Sequence, residues 1–192
     1  MSRVATKSTE VFTFAELSAK AQAKAIETFS EREGEYWSGE YASAEFKKKL
    51  EALGFEDVDT QYSGFYSQGD GASFTSSSFD IRKVMKAIGI ASLFKSFYSI
   101  VKTQDIQGRV YRIPCNYTHE CTIKVDFPEY MGYSKQEGDV ARALTEYVRG
   151  LSKSFYNSLE TEYDYACSEE NARQYLEEEG TEYTASGKEY HC

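Results

Sequence analysis

Thirteen residues, Tyr62–Phe74 (Y-S-G-F-Y-S-Q-G-D-G-A-S-F), hold three glycines, one carboxylate, one amide and four aromatic rings, and the rest of the chain reads as arranged around them. Before them, Val58, Thr60 and Tyr62 alternate with Asp57, Asp59 and Gln61, the period of a strand. Gly69-Asp70-Gly71 is strong turn chemistry, so the spacing predicts a β-hairpin with its tip at Gln68–Gly71. The returning strand should run from Ala72 to Ser76, and Ser76-Ser77-Ser78 should break it. Gly64, Gly69 and Gly71 permit positive φ or the close approach of another group. Two readings follow. Either the glycines serve the turn alone, or the rigid turn holds Gln68 and Asp70 out, with Tyr62, Phe65 and Tyr66 beside them, as a contact surface.

Helical signals surround this hairpin. Thr13 and Glu16 form a capping box. Leu17, Ala21, Ala25 and Phe29, with Ile26, follow at helical spacing, and that helix is expected to reach about Arg32, before Gly34. A second helix is expected with Trp37, Tyr41 and Ala44 on one face, continued by Phe46, Leu50 and Leu53 and closed at Gly54; the two should form a hairpin over a sheet. Asp80 caps a helix with Ile81, Val84, Met85 and Ile88 inside. Leu93, Phe94, Phe97 and Val101 resume the stripe after Gly89. Tyr117–Phe127 reads as the cleanest strand, with Tyr117, His119, Cys121, Ile123, Val125 and Phe127 on its apolar side and Gly108–Ile113 as its neighbour. Ser134 and Glu137 form a second capping box before the longest helix, where Val140, Leu144, Val148, Leu151, Phe155 and Leu159 recur at steps of three and four. Ser168 caps a last helix that Gly180 stops, and Glu182–Tyr190 can turn back as a terminal hairpin. The expected fold is α+β: an antiparallel sheet of about four to five strands with helices packed on one face. Residues 1–11 read as a disordered lead and 12–192 as a single domain.

Charge is unevenly spread. The net charge is −9, but from Glu160 to the end there are ten acids and two bases, leaving the preceding 159 residues close to neutral. Such an end, with Glu177-Glu178-Glu179 at its centre, repels nucleic acid, so direct duplex DNA binding is not expected. It suits either an ordinary solvated helix face or contact with a basic surface, including one that normally holds nucleic acid. Sixteen tyrosines and twelve phenylalanines against one tryptophan suit a partly wet, contact-making surface. Met1–Glu10 is polar, no apolar run is long enough to span a membrane, and the four cysteines show no C-x-x-C spacing. The expectation is a cytosolic protein with reduced thiols, no membrane partner and no cofactor.

No catalytic signature is present. His119 and Cys121, with Cys115 nearby, make half of a zinc site, but the other half is missing, since the second histidine, His191, lies beside Cys192 at the end of the chain. A satisfied core histidine and a buried thiol are the expectation there. Gly69-Asp70-Gly71 lacks the lysine of a phosphate-binding loop. Asp70 with Asp57 or Asp59 could hold Mg²⁺, which keeps an enzyme centred on Asp70 open, although a non-enzyme is favoured.

The order of a capped helix opening F-T-F-A-E-L-S-A-K-A-Q-A-K-A, a Trp-bearing second helix, S-G-F-Y-S-Q-G-D-G-A-S-F and Y-D-Y-A-C-S-E-E-N-A-R-Q-Y-L-E-E-E-G-T-E-Y-T-A-S-G-K resembles a group of small, largely uncharacterised proteins of tailed bacteriophages and prophages, sometimes labelled antitoxin-like. The resemblance implies a phage accessory protein in the cytoplasm of its bacterial host, and it brings no catalytic residues. The expected function is binding to a host or phage protein to inhibit or modulate it, in an anti-defence or host-takeover role. Tyr62, Phe65, Tyr66, Gln68 and Asp70 or the acidic Glu177, Glu178 and Glu179 would make the contact, with Gly64, Gly69 and Gly71 shaping the turn. An antitoxin neutralising a toxin, a Mg²⁺-dependent enzyme and a virion assembly protein are the alternatives.

Overall fold

Backbone pairing and apolar stripes resolve into five strands and six α-helices in a computed structural model that describes residues 8–128 and 135–191. Contacts group the chain into two compact units. One comprises residues up to Ser38 with those from Thr161 onward, and the other is Gly39–Glu160. The architecture is α+β with an antiparallel sheet.

The second unit holds the sheet. Its strands are β1 (Phe55–Glu56), β2 (Asp59–Ser63), β3 (Gly71–Phe79), β4 (Gly108–Arg112) and β5 (Ile123–Asp126). The long β3 serves two partners along one side: its first half pairs with β2, from Ser63↔Gly71 to Asp59↔Thr75, and its end pairs with β1, Phe55↔Phe79. On its other side β3 pairs with β4 through a bulge, and β4 pairs with β5. The serine run does not break the strand as expected. Its hydroxyls find partners across the sheet: Ser76 Oγ donates to the Glu56 carbonyl at 2.7 Å, Ser78 Oγ to the Glu56 carboxylate at 2.6 Å and Ser77 Oγ to Asp57 at 2.7 Å. Asp57, at φ +49°, makes the kink that separates β1 from β2.

Helices α2 (Glu40–Ala52), α3 (Ile81–Ala87), α4 (Lys95–Gln104) and the part of α5 (Lys135–Ala166) up to Glu160 complete this unit. The expected inner face of α5, Val140 through Leu159, is buried. On α2 the expected Phe46 and Leu50 are buried, together with Ala42, whereas the expected Tyr41 and Ala44 are exposed; Trp37 precedes the helix, which starts after Gly39 in a left-handed conformation. Phe46 stacks on Phe155 at 4.4 Å and meets Phe74 edge-on at 5.5 Å, joining α2, α5 and β3 in one aromatic core. Burial of such rings contributes roughly 1.5–3 kcal/mol each. The edge strand β5 is held by α5: Val125 N–H donates to Thr145 Oγ1, and Arg149 donates to the carbonyls of Ile123 and Cys121.

Only Ile123–Asp126 of the expected Tyr117–Phe127 strand is a strand. Glu120–Thr122 is a 3₁₀ turn with His119 as its N-cap; His119 Nδ1 accepts the Cys121 N–H at 3.1 Å and Thr122 Oγ1 donates to the His119 carbonyl at 2.8 Å. Side chains thus take backbone groups that a ladder would need.

In the first unit, the Thr13–Glu16 capping box closes a 3₁₀ turn, Phe14–Glu16, and Ser18 caps α1 (Ala19–Tyr36). The helix runs past Gly34, where a Cβ would lie 3.1 Å from the Tyr163 hydroxyl oxygen and 3.3 Å from Cys167 Sγ. Helix α1 packs with α6 (Glu169–Glu178) around Phe14, Leu17, Ala25, Phe29, Leu176 and Tyr183. Phe12 and Tyr183 exchange backbone hydrogen bonds of 2.9 and 2.8 Å, and Tyr183 pairs with Glu189 in the expected terminal hairpin. Ser134, of the second capping box, lies outside the described residues. Among the described residues no helix is long and apolar enough to cross a membrane.

Candidate functional site

The hairpin expected at Tyr62–Phe74 forms, with loop residues 64–70 between β2 and β3. Within it the Asp70 N–H donates to the Ser67 carbonyl at 3.1 Å, and the Asp70 carboxylate accepts the Ser67 N–H at 2.6 Å. Gly69 sits at φ +94°, a backbone state that L side chains rarely adopt. At the loop's start, Tyr156 of α5 donates its hydroxyl to the Gly64 carbonyl at 3.2 Å, and the Phe65 ring rests 5.5 Å from the Tyr156 ring. Burial raises the Tyr156 pKa, and the negative charges of Glu160 and Asp70 add to the rise.

A second segment lies against the loop. Thr118 Oγ1 donates to Ser63 Oγ at 2.7 Å. Arg112 of β4 holds the Tyr117 carbonyl at 2.7 Å and also donates to the Gln61 side chain. Gly71 is required for this approach, since a Cβ there would stand 2.5 Å from His119 Cβ and 2.6 Å from its Cα. A Cβ on Gly69 would meet the Tyr117 ring at 2.6 Å. Gln68, Gly69, Asp70, Tyr117, His119 and Glu120 line the resulting open depression of about 390 Å³.

The structure therefore brings Tyr62, Phe65, Tyr66, Gln68 and Asp70 together on one hairpin, in different roles. Tyr62 is a half-buried strand residue opposite Ala72, Phe65 packs on Tyr156, and Asp70 braces the turn. Tyr66 is 77% exposed, and Gln68 is exposed with no hydrogen bond from its side chain among the described residues. Of the three glycines, only Gly69 has positive φ; Gly64 and Gly71 make room for the Asp70 carboxylate and for His119. Sequence reading missed Arg112, Tyr117, Thr118 and Tyr156 as partners of the loop. The signals available were the Pro114–Asn116 turn chemistry, which argues against extending a strand back to Tyr117, and the tyrosine at position 156 beside the buried Phe155.

The acids Glu177, Glu178 and Glu179 belong to the other unit, at the end of α6. Arg173 pairs with Glu169 at 2.8 Å and Arg32 with Glu189 at 3.2 Å. Glu179 accepts a hydrogen bond from the Tyr175 hydroxyl and Glu178 one from Gln174. Glu177 and Glu178 have no base within ion-pair distance among the described residues.

His119 and Cys121 do not share a strand face, and Cys121 and Cys115 are exposed rather than buried. Among the described residues, no three His, Cys, Asp or Glu side chains gather as a metal ion would need. Asp57 binds Ser77, Asp59 binds Gln61 and Asp70 binds Ser67, each separately.

One family model matches the chain, described as a domain of unknown function, DUF8835, over residues 36–169. It takes in the whole sheet-bearing unit, including the loop and its supports, and stops at the first residue of α6. No curated protein and no solved structure matches the chain.

Proposed function

The chain belongs to the DUF8835 family, and we propose that it is a non-enzymatic binder, a phage-encoded accessory protein of the bacterial cytoplasm that inhibits or modulates a host protein by docking its 64–70 loop. The observation that carries this reading is the bracing of the loop. Asp70, Tyr156 and the Gly71–His119 contact hold the backbone while Tyr66 and Gln68 stay exposed. A free loop would lose roughly 1–2 kcal/mol per residue on being ordered by a partner, and a pre-ordered one avoids most of that loss. Tyrosine supplies large contact area with few rotatable bonds and is common among the residues that dominate interfaces. The Asp70 carboxylate is engaged inside the turn, which favours a shaping role over catalysis.

A second contact through the acidic segment is favoured by Glu177 and Glu178, which have no base within ion-pair distance among the described residues. Because α6 lies almost wholly outside the family match, that contact would be this chain's addition to the shared domain. It suits a partner with a basic, nucleic-acid-holding surface, and it would weaken steeply with salt. An antitoxin would use the same two surfaces. Affinity capture from phage-infected bacteria, with the wild type and a Tyr66→Ala/Gln68→Ala variant as baits, tests the reading. A protein retained by the first and lost by the second is expected. Equal recovery by both would refute docking through the loop.

A further inference from the structure

Helices α3 and α4 carry charge opposite in sign to the chain as a whole. The net charge is −9, yet between Asp80 and Arg112 lysines and arginines outnumber acids seven to two. Arg82, Lys83, Lys86 and Lys102 meet, with Asp80 and Tyr98, around one open depression of about 260 Å³.

Their roles divide. Arg82 is neutralised: it makes two hydrogen bonds to the Asp80 carboxylate, at 3.1 and 3.2 Å, and lies 3.6 Å from Asp105. Burial pushes the Asp80 carboxyl up, but the Arg82 side chain and the N–H groups of Lys83 and Arg82 more than offset this and hold it below its ordinary value. The one acid of the depression is thus spent on Arg82 and on capping α3. Lys83, Lys86 and Lys102 are exposed, and none pairs with an acid among the described residues. Lys24 and Lys48, by contrast, close on Glu27 and Glu45 at 2.7 and 2.6 Å.

Three lysines that pair with no acid among the described residues line one depression, and a cleft lined mainly by one sign of charge concentrates counter-ions of the other. Each ammonium offers three rotatable donors, which suits the oxygens of a phosphate group. The volume is small beside the roughly 300–1,000 Å³ of pockets for drug-sized ligands, so it suits a phosphate group rather than a whole organic molecule. Tyr98, half-buried on α4, lines the same depression, and an aromatic ring is a platform on which a nucleobase can stack. We propose that the α3–α4 depression binds the phosphate groups of a nucleotide unit, held by Lys83, Lys86 and Lys102 with the base on Tyr98, as a free nucleotide or as part of a single strand.

Calorimetric titration of the full chain at low ionic strength with sodium pyrophosphate, ATP and a short oligo-dT tests this. Pyrophosphate should bind, and ATP should bind more tightly. Lys83→Ala/Lys102→Ala should weaken both at least tenfold, and Tyr98→Ala should remove only the advantage of ATP over pyrophosphate. Lys20→Ala/Lys153→Ala, exposed lysines elsewhere in the chain, should change neither. Tighter binding of oligo-dT than of ATP assigns the site to a strand, and the reverse assigns it to a free nucleotide. Matching thermal midpoints for all variants show that each is folded. Absence of binding by all three probes at millimolar concentration, or equal weakening by the two lysine pairs, would overturn the proposal. So would a site that takes a synthetic acidic peptide of residues 168–182 and no phosphate.

Discussion

The Asp70 carboxylate accepts the backbone N–H of Ser67 at 2.6 Å, and together with the Asp70 N–H, which donates to the Ser67 carbonyl at 3.1 Å, it fastens the exposed end of the β2–β3 loop. A single hydrogen bond to a charged group contributes about 1.5–3 kcal/mol when well shielded and less where water competes. Asp70→Ala should therefore lower global stability by no more than about 1 kcal/mol, yet speed hydrogen exchange at the Ser67 amide by tenfold or more. Native-state exchange read by NMR checks this. An unchanged Ser67 amide would mean that the loop is held by other means.

Two glycines should respond to the same substitution with opposite signs. Gly71→Ala drives a methyl to within 2.5 Å of His119 Cβ, and both backbones must shift, at a cost of about 1–3 kcal/mol. Gly138→Ala, in α5 with open space around it, should stabilise by about 0.4–1 kcal/mol. Urea midpoints for the two variants decide it.

Helix α5 shows what the sequence made legible. The 3.6-residue stripe from Val140 to Leu159 and the caps Asp80 and Ser168 depend on local spacing, and they stand where expected. The hairpin was legible for the same reason, since its glycines and alternation lie within a few residues of each other. The 117–122 segment was not. Its alternation mimics a strand, but whether its backbone joins a ladder depends on His119, Thr122 and Arg149, the last reaching in from 28 residues beyond Cys121. The supports of the loop share this character: Arg112, Thr118 and Tyr156 meet it only because β3 and β4 pair and α5 crosses nearby. The serine run was misread because its hydroxyls are satisfied by β1 and the kink at Asp57, across the sheet.

Alkaline pH should release the loop through Tyr156. Burial, then Glu160 and Asp70, raise its pKa in the folded chain above the value of about 10 expected when unfolded. Its contribution is fully present below the unfolded value and is lost as pH rises through the folded one, when the phenolate can no longer donate to the Gly64 carbonyl. Tyr156→Phe should cost about 0.5–1.5 kcal/mol at neutral pH and flatten the stability profile above about pH 10. Urea denaturation at stepped pH measures both, and parallel profiles for variant and wild type would contradict the assignment.

Glu177 and Glu178 stand at the C-terminal end of α6, where the helix dipole disfavours negative charge. Glu177→Gln/Glu178→Gln should stabilise the fold at low salt by a few tenths of a kcal/mol, read as a slightly higher thermal midpoint, and the gain should shrink as salt is added. A loss of stability would show that these carboxylates serve the fold rather than a partner.

The most direct test is the dissociation constant of the captured partner, measured by calorimetry for the wild type and for Tyr66→Ala. If the braced loop is the docking surface, truncating its 77% exposed ring should weaken binding roughly 30-fold, about 2 kcal/mol, with folding intact. An unchanged constant, with the partner lost only when Glu177 and Glu178 are neutralised, would contradict it.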